Sequence, residues 1–191
     1  MLFIPGHIGT LPLPNRLIRS ATAERMADEA GQPTPALKRL YQELARGGVS
    51  LIVTGHMYVH PSGKTHPEMT GIYSDELIAP LWELADAVHT EAGRIAAQLS
   101  HGGMLCNSET VPDPIAPSAV EVPFTQRRAR EMTPEEIESI IEAFAQAARR
   151  AKEAGFDAIQ LHGAHGYLIN QFLSPFVNQR TDAWGGDLER R

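Results

Sequence analysis

Three side chains close to the end of the sequence have the types and spacing that chemistry requires. His162 and His165 stand three positions apart, directly after the apolar run 156–161, and Tyr167 follows two residues later. A neutral imidazole donates a hydrogen bond without carrying charge, and a phenol can give up a proton. Together such groups can polarise a substrate oxygen and protonate a neighbouring atom. From the residues alone two other readings stay open. The histidines could bond to loop backbone, or the HxxH pair could serve a metal, as in a metal-dependent barrel hydrolase, although no third His or carboxylate is placed with them. Gln98 ends another apolar run, 94–99, where a buried amide must find partners. Ser20 and Thr22 end a third, 16–21, where they either meet a ligand or cap a turn.

These residues need strands to aim them. Runs 16–21, 49–54, 94–99 and 156–161 are short, apolar and rich in Ile, Leu and Val, the pattern of buried parallel strands. Helical signals fall between them. Thr34-Pro35 caps a helix that runs to Arg46 before Gly47-Gly48; another spans 75–92, ended by Gly93. Thr133-Pro134-Glu135-Glu136 is a capping box, and Ile137, Ile140, Ile141, Phe144, Ala148 and Ala151 form the core-facing stripe of its helix. A further helix begins near Asp187, and residues 2–13 suit a small hairpin. Repeated βα units imply a parallel sheet covered by helices. No glycine-rich phosphate motif follows any strand, so a TIM-barrel type of α/β fold suits the pattern better than a dinucleotide-binding sheet. In barrels chemistry sits at the C-terminal ends of strands, which brings residues 20–23, 55–56, 98–101 and 162–167 toward one site. Long loops at 55–74 and 100–132 leave from the same ends.

Composition narrows the class. The 191 residues carry a formal net charge of -6 and no long basic run, which argues against nucleic acid as a partner; Arg127, Arg128 and Arg130 suit a solvated loop or a local anion contact. No apolar stretch nears the ~20 residues of a membrane helix, and the N-terminus lacks the pattern of a signal peptide. One cysteine, Cys106, suits a reducing, cytoplasmic location.

The segment HGAHGYLINQFLSPFVNQRTDAWGG resembles the signature of the Old Yellow Enzyme family of flavin oxidoreductases. LPNRLIRSAT, VSLIVTGH and RIAAQLSHGG extend the likeness along the whole chain. The resemblance implies an FMN-dependent (β/α)8 barrel that reduces activated alkenes, such as α,β-unsaturated carbonyls, with NAD(P)H. It implies that Ser20, Ala21 and Thr22 lie along the flavin, that Gly55 packs against it, and that Gln98 bonds its pyrimidine end. His162 and His165 then hold the oxygen of a small-molecule acceptor and Tyr167 donates the proton, while Asn178, Arg180, Asp182 and Trp184 fix the long loop. Two positions depart from the pattern. Ala23 stands where many relatives carry threonine or cysteine, so the flavin potential does not follow from the likeness. Arg25 stands where some have a substrate-facing tyrosine; it favours an anionic substrate or turns to solvent.

The resemblance covers only the N-terminal half of such a barrel, about four βα units. A fragment of a longer enzyme, a half-barrel completed by a second copy or by a complementing C-terminal half, and a decayed remnant without activity are three readings, and a non-catalytic half-barrel acting only in assembly is a rival to them. The isolated chain is expected to bind FMN weakly or not at all.

Overall fold

The computed structural model describes residues 1–122 and 125–191; of the long loop expected at 100–132, residues 123 and 124 lie outside the described set. The chain opens with the antiparallel hairpin β1 (Gly6–Ile8) and β2 (Leu11–Leu13), then β3 (Ile18–Arg19). There follow α1 (Pro35–Arg46), β4 (Leu51–Tyr58), α2 (Ile78–His89) and β5 (Arg94–Ser100). Two short paired strands, β6 (Ile115–Ala116) and β7 (Arg130–Glu131), lead to α3 (Pro134–Glu153), β8 (Ala158–Leu161) and α4 (Leu168–Leu173). The central sheet is parallel, in the order β3-β4-β5-β8, with α1, α2 and α3 as crossovers. This is half of a (β/α)8 barrel.

The helix ends obey their caps. The Thr34 hydroxyl accepts from Leu37 N–H ahead of α1, and Thr133 with Glu136 forms the reciprocal capping box of α3. The second helix is shorter than its sequence suggests. Ser74 caps a 3-10 turn over Asp75–Leu77, and α2 starts only at Ile78. The first strand shrinks to two residues, whereas β4 extends past the expected end at residue 54, because the following loop returns to bond Tyr58 on both sides (Tyr58 N–H to Thr70 O, Ile72 N–H to Tyr58 O). Near Asp187 only a turn forms; the helix after β8 is α4.

Alternation along the strands separates two cores. Ile52, Ile95, Ala97 and Leu99 face outward and pack against Leu37 and Tyr41 of α1, Leu81, Leu84 and Val88 of α2, and Ala147 and Ala151 of α3. Leu51, Val53 and Ala96 face inward, where Leu13 of the hairpin packs on them and closes the N-terminal end of the half-barrel. The stripe on α3 is only partly covered: Ile141 is 47% exposed. It borders an apolar groove of about 310 Å³ shared with Phe144, Leu161, Phe172 and Trp184. This groove lies beside β8, the edge strand of the sheet.

Candidate active site

The inward side chains rise in layers from this apolar floor. On β5 the order is Ala96 then Gln98, on β8 Ala158 then Gln160, and His162 follows just past the end of β8. On β4 the register slips: Val53 pairs with Ala96 but His56 pairs with Gln98, two intervening residues against one. Strict alternation would send His56 to the outer face. The bulge turns it inward instead. The backbone groups released from the ladder are satisfied locally, Gln98 N–H donating to Thr54 Oγ1 at 3.1 Å and Gly55 N–H to Tyr41 Oη at 3.1 Å.

At the C-terminal end of these strands lies a cavity of about 460 Å³, within the roughly 300–1,000 Å³ usual for small-molecule sites. Eight of the residues singled out from the sequence line it together: Ser20, Ala21, Thr22, Ala23, Gln98, His162, His165 and Tyr167. Gly55 and Arg25 do not. They border a separate, much smaller cavity behind it, with His66 and Glu68. A Cβ at Gly55 would lie 2.1 Å from Glu24 Oε2 and 2.6 Å from Thr22 O, so the protein's own turn demands the glycine. His56, one of the residues expected at this end of the sheet but assigned no chemical role, also lines the larger cavity, and so does Gln160, which belongs to none of the expected clusters. Gln160 stands two positions before His162 on the same strand face, and the inward turn of His56 depends on the bulge, at which Gly55 within a strand is a hint.

Hydrogen bonds fix which nitrogens carry hydrogen. Ala164 N–H donates to His162 Nδ1 at 3.4 Å, so the hydrogen of His162 is on Nε2. His162 Nε2 is 3.4 Å from His165 Nδ1, which leaves the hydrogen of His165 on its own Nε2. A ligand oxygen that accepts from His162 therefore displaces only a long, weak bond. His165 sits at φ +59°, a left-handed conformation unusual outside glycine, of the kind that collects at functional sites. The Tyr167 ring packs edge-on to His162 with centroids 4.8 Å apart, and to His56 at 5.4 Å. Burial, with the neighbouring imidazoles His162, His66 and His165, pushes the pKa of His56 down to about 4. Burial and His165 also lower that of His162, while burial raises that of the Tyr167 phenol. The lining residues include no Asp, Glu, Lys or Arg. The site is thus a set of imidazoles, amides, hydroxyls and a phenol with no carboxylate, ammonium or guanidinium among them.

Two amides complete it. Gln98 Nε2 donates to Gln160 Oε1 at 2.7 Å, leaving Gln98 Oε1 as acceptor and Gln160 Nε2 as donor for a ligand edge that offers both. The turn at residues 20–23 is followed by a partly buried trio, Glu24 with Arg19 and the buried Tyr41. Glu24 Oε1 accepts from Tyr41 Oη at 2.7 Å and pairs with Arg19 Nη1 at 2.6 Å, and Arg19 also donates to Val53 O at 3.1 Å. The loop after α4 is fixed by the residues expected to fix it. Asn178 donates to Phe172 O and Trp184 O, and Arg180 to Pro117 O and Met132 O and to the Asp182 carboxylate. Gln171 bridges Gly102 O and Gly166 O. The arginines at 127, 128 and 130 serve backbone and acidic partners: Arg127 donates to Cys106 O, Val111 O and Pro112 O, and Arg130 pairs with Glu136. Cys106 is buried, and burial pushes its thiol up to about 12, which disfavours the thiolate at neutral pH. Among the described residues no three His, Cys, Asp or Glu side chains are grouped to hold a metal ion, and no helix is long and apolar enough to cross a membrane.

The model of the NADH:flavin oxidoreductase / NADH oxidase family matches residues 1–191. A protein named NADH oxidase from Thermoanaerobacter brockii is 43% identical over 197 residues, covering 100% of this chain and 30% of that protein. One named NADPH dehydrogenase from Geobacillus sp. (strain WCH70) is 43% identical over 192 residues, with 100% and 56% covered. The solved structure of morphinone reductase in complex with tetrahydroNAD superposes with a TM-score of 0.91 at 32% identity, covering 99% of this chain and 56% of that one. The chain thus spans between about a third and just over half of the length of these proteins.

Proposed function

The chain belongs to the NADH:flavin oxidoreductase / NADH oxidase family, and on that premise we propose that it carries the acceptor-binding side of an FMN-dependent NAD(P)H oxidoreductase that reduces activated alkenes such as α,β-unsaturated carbonyls. One observation carries the reading: His162, His165 and Tyr167 converge with Gln98 on a single cavity that no charged side chain lines. The residues present fit a flavin ring. Gln98 Oε1 and Gln160 Nε2 offer the acceptor and donor that its pyrimidine edge complements, and the turn Ser20, Ala21, Thr22 and Ala23 forms the adjoining wall. FMN, when bound, would supply the hydride-transfer chemistry between NAD(P)H and the acceptor. The protein's part is electrostatic and protonic. His162 Nε2–H and His165 Nε2–H hold the acceptor oxygen and offset the negative charge that develops on it. Tyr167, whose phenol burial keeps protonated, supplies the proton to the carbon opposite the one reduced.

In the complete barrel, Tyr167→Phe should slow alkene reduction by about 10²–10⁴-fold while leaving flavin reduction by the nicotinamide intact. Equal loss of both half-reactions would count against the proton-donor role. The exposed groove beside β8 supports a complementing C-terminal half-barrel, or failing that a second copy, as the partner that closes the site. Size-exclusion chromatography of the chain with and without residues from the second half distinguishes the two.

A further inference from the structure

Gln160 is the only polar residue of β8, and its register partner across the parallel ladder is Gln98 of β5. The two side chains stand in one layer of the inner face and meet amide to amide, Gln98 Nε2 donating to Gln160 Oε1 at 2.7 Å. The layer beneath them, Val53, Ala96 and Ala158, is apolar and offers no alternative partner. Thr54 Oγ1 is already taken by the backbone N–H of Gln98. Gln98 is buried, and among the described residues Gln160 is the one hydrogen-bond partner of its amide. The two ends of an amide differ in chemistry but hardly in shape, so a glutamine without a partner could turn either end to a ligand. Here the pairing decides. It occupies Gln98 Nε2 and leaves Gln98 Oε1 and Gln160 Nε2 side by side for a ligand in the cavity that both residues line.

We propose that Gln160 is a positioning residue that holds the Gln98 amide in this sense and, through its own Nε2–H, raises the potential of bound FMN. The inference rests on the function proposed above. The pyrimidine edge of a flavin carries one ring N–H between two carbonyl oxygens, so an acceptor beside a donor matches it. Gln98 Oε1 accepts from the ring N–H, and Gln160 Nε2 donates to a carbonyl oxygen. Two-electron reduction places negative charge on that edge, and a hydrogen bond to an ionised group is roughly twice as strong as one to a neutral group. The fixed N–H of Gln160 therefore favours the reduced ring over the oxidised one. No Lys or Arg lines the cavity, so dipoles are the means this part of the barrel has of doing so. Neither amide titrates, so the effect does not depend on the protonation of a side chain.

The test is the midpoint potential of the complete FMN-loaded barrel, measured by reductive titration against redox dyes, together with its affinity for oxidised FMN. Gln160→Leu removes both contacts. It should weaken the binding of reduced FMN about tenfold more than that of oxidised FMN, the difference between hydrogen bonds to charged and to neutral groups. For a two-electron couple that is a fall of about 30 mV in potential. Gln160→Glu keeps an acceptor for Gln98 Nε2 but puts a carboxylate where the donor stood, and should lower the potential further. The double variant of Gln98→Leu and Gln160→Leu should lose less affinity for oxidised FMN than the product of the two single losses, because Gln160 acts partly through Gln98. A wild-type potential in either Gln160 variant, or losses of affinity that simply multiply, overturns the inference and leaves the proposed function standing. If Gln160→Leu takes up no FMN, the potential of Gln160→Glu decides alone. A wild-type barrel that takes up no FMN overturns both.

Discussion

Glu24 is the residue on which the wall of the cavity turns, and its replacement by glutamine can be worked through in numbers. Its carboxylate is 7% exposed and its partner Arg19 16% exposed, so the pair is poorly screened. Glu24 Oε1 accepts a hydrogen bond from Tyr41 at 2.7 Å and forms an ion pair with Arg19 Nη1 at 2.6 Å. Hydrogen bonds to an ionised group contribute about 1.5–3 kcal/mol against about 0.5–1.5 for neutral ones, so exchanging carboxylate for amide costs about 1–1.5 kcal/mol at the Tyr41 contact. Arg19, left with Val53 O as its remaining acceptor, adds part of the 3–5 kcal/mol that stranding one member of a buried pair can cost. Glu24→Gln should therefore destabilise by about 3 kcal/mol, or lower Tm by about 6–12 °C for a chain of this size. Denaturant melts of Glu24→Gln, Tyr41→Phe and the double variant, followed by circular dichroism, give the coupling between the two side chains. A coupling of about 1 kcal/mol is expected because they share a bond. A loss below about 0.5 kcal/mol for Glu24→Gln, or purely additive losses, would refute the view that this trio holds the turn in place.

Acid should destabilise the fold partly through His56. Its pKa falls from 6.5 when unfolded to about 4 when folded, so the unfolded chain binds the proton first and stability drops as pH falls through that window, levelling off below it. His56→Gln should remove up to about 3 kcal/mol from the stability difference between pH 7 and pH 4, measured by denaturant melts; an unchanged difference would show that His56 protonates freely in the folded state. At Gly103, φ is +59° and an added Cβ would lie 2.3 Å from Gln171 Oε1, so Gly103→Ala should cost about 2–3 kcal/mol in thermal melts through strain and displacement of the Gln171 bridge. Wild-type stability would mean that the loop relaxes without holding Gln171.

The fold was legible where local chemistry decides it. Thr34-Pro35 and the Thr133 capping box mark the starts of α1 and α3 to the residue, because a cap is a contact between neighbours in sequence. The end of β4 was not, because its last residues are ordered by a loop that returns from residues 70–72. Within the site, Gln98, His162 and Tyr167 could be found from their positions past apolar runs. His56 could be brought to this end of the sheet with residue 55 but not aimed into the cavity, since its direction depends on a mismatch between two strands more than forty residues apart in sequence. The Arg19–Glu24–Tyr41 trio was equally invisible: it joins a strand end, a turn and a helix, and no spacing rule links them. Ile141 shows the converse case, a residue with a core-type pattern that remains half exposed on the rim of the groove beside β8.

The bulge in β4 has a bearing on how this strand can change over generations. Because two residues there answer one on β5, the strand reads with one parity up to Val53 and the opposite parity from His56 onward. A single-residue deletion at Thr54 or Gly55 would make the ladder regular, the one remaining residue answering Ala97 and His56 keeping its place opposite Gln98. His56 would still face the cavity and the buried Met57 the helices, at the loss of one bond that now satisfies the bulge, Gln98 N–H to Thr54 or Gly55 N–H to Tyr41. A gain of one residue there, by contrast, would invert the tip and exchange a polar wall of the site for an apolar one.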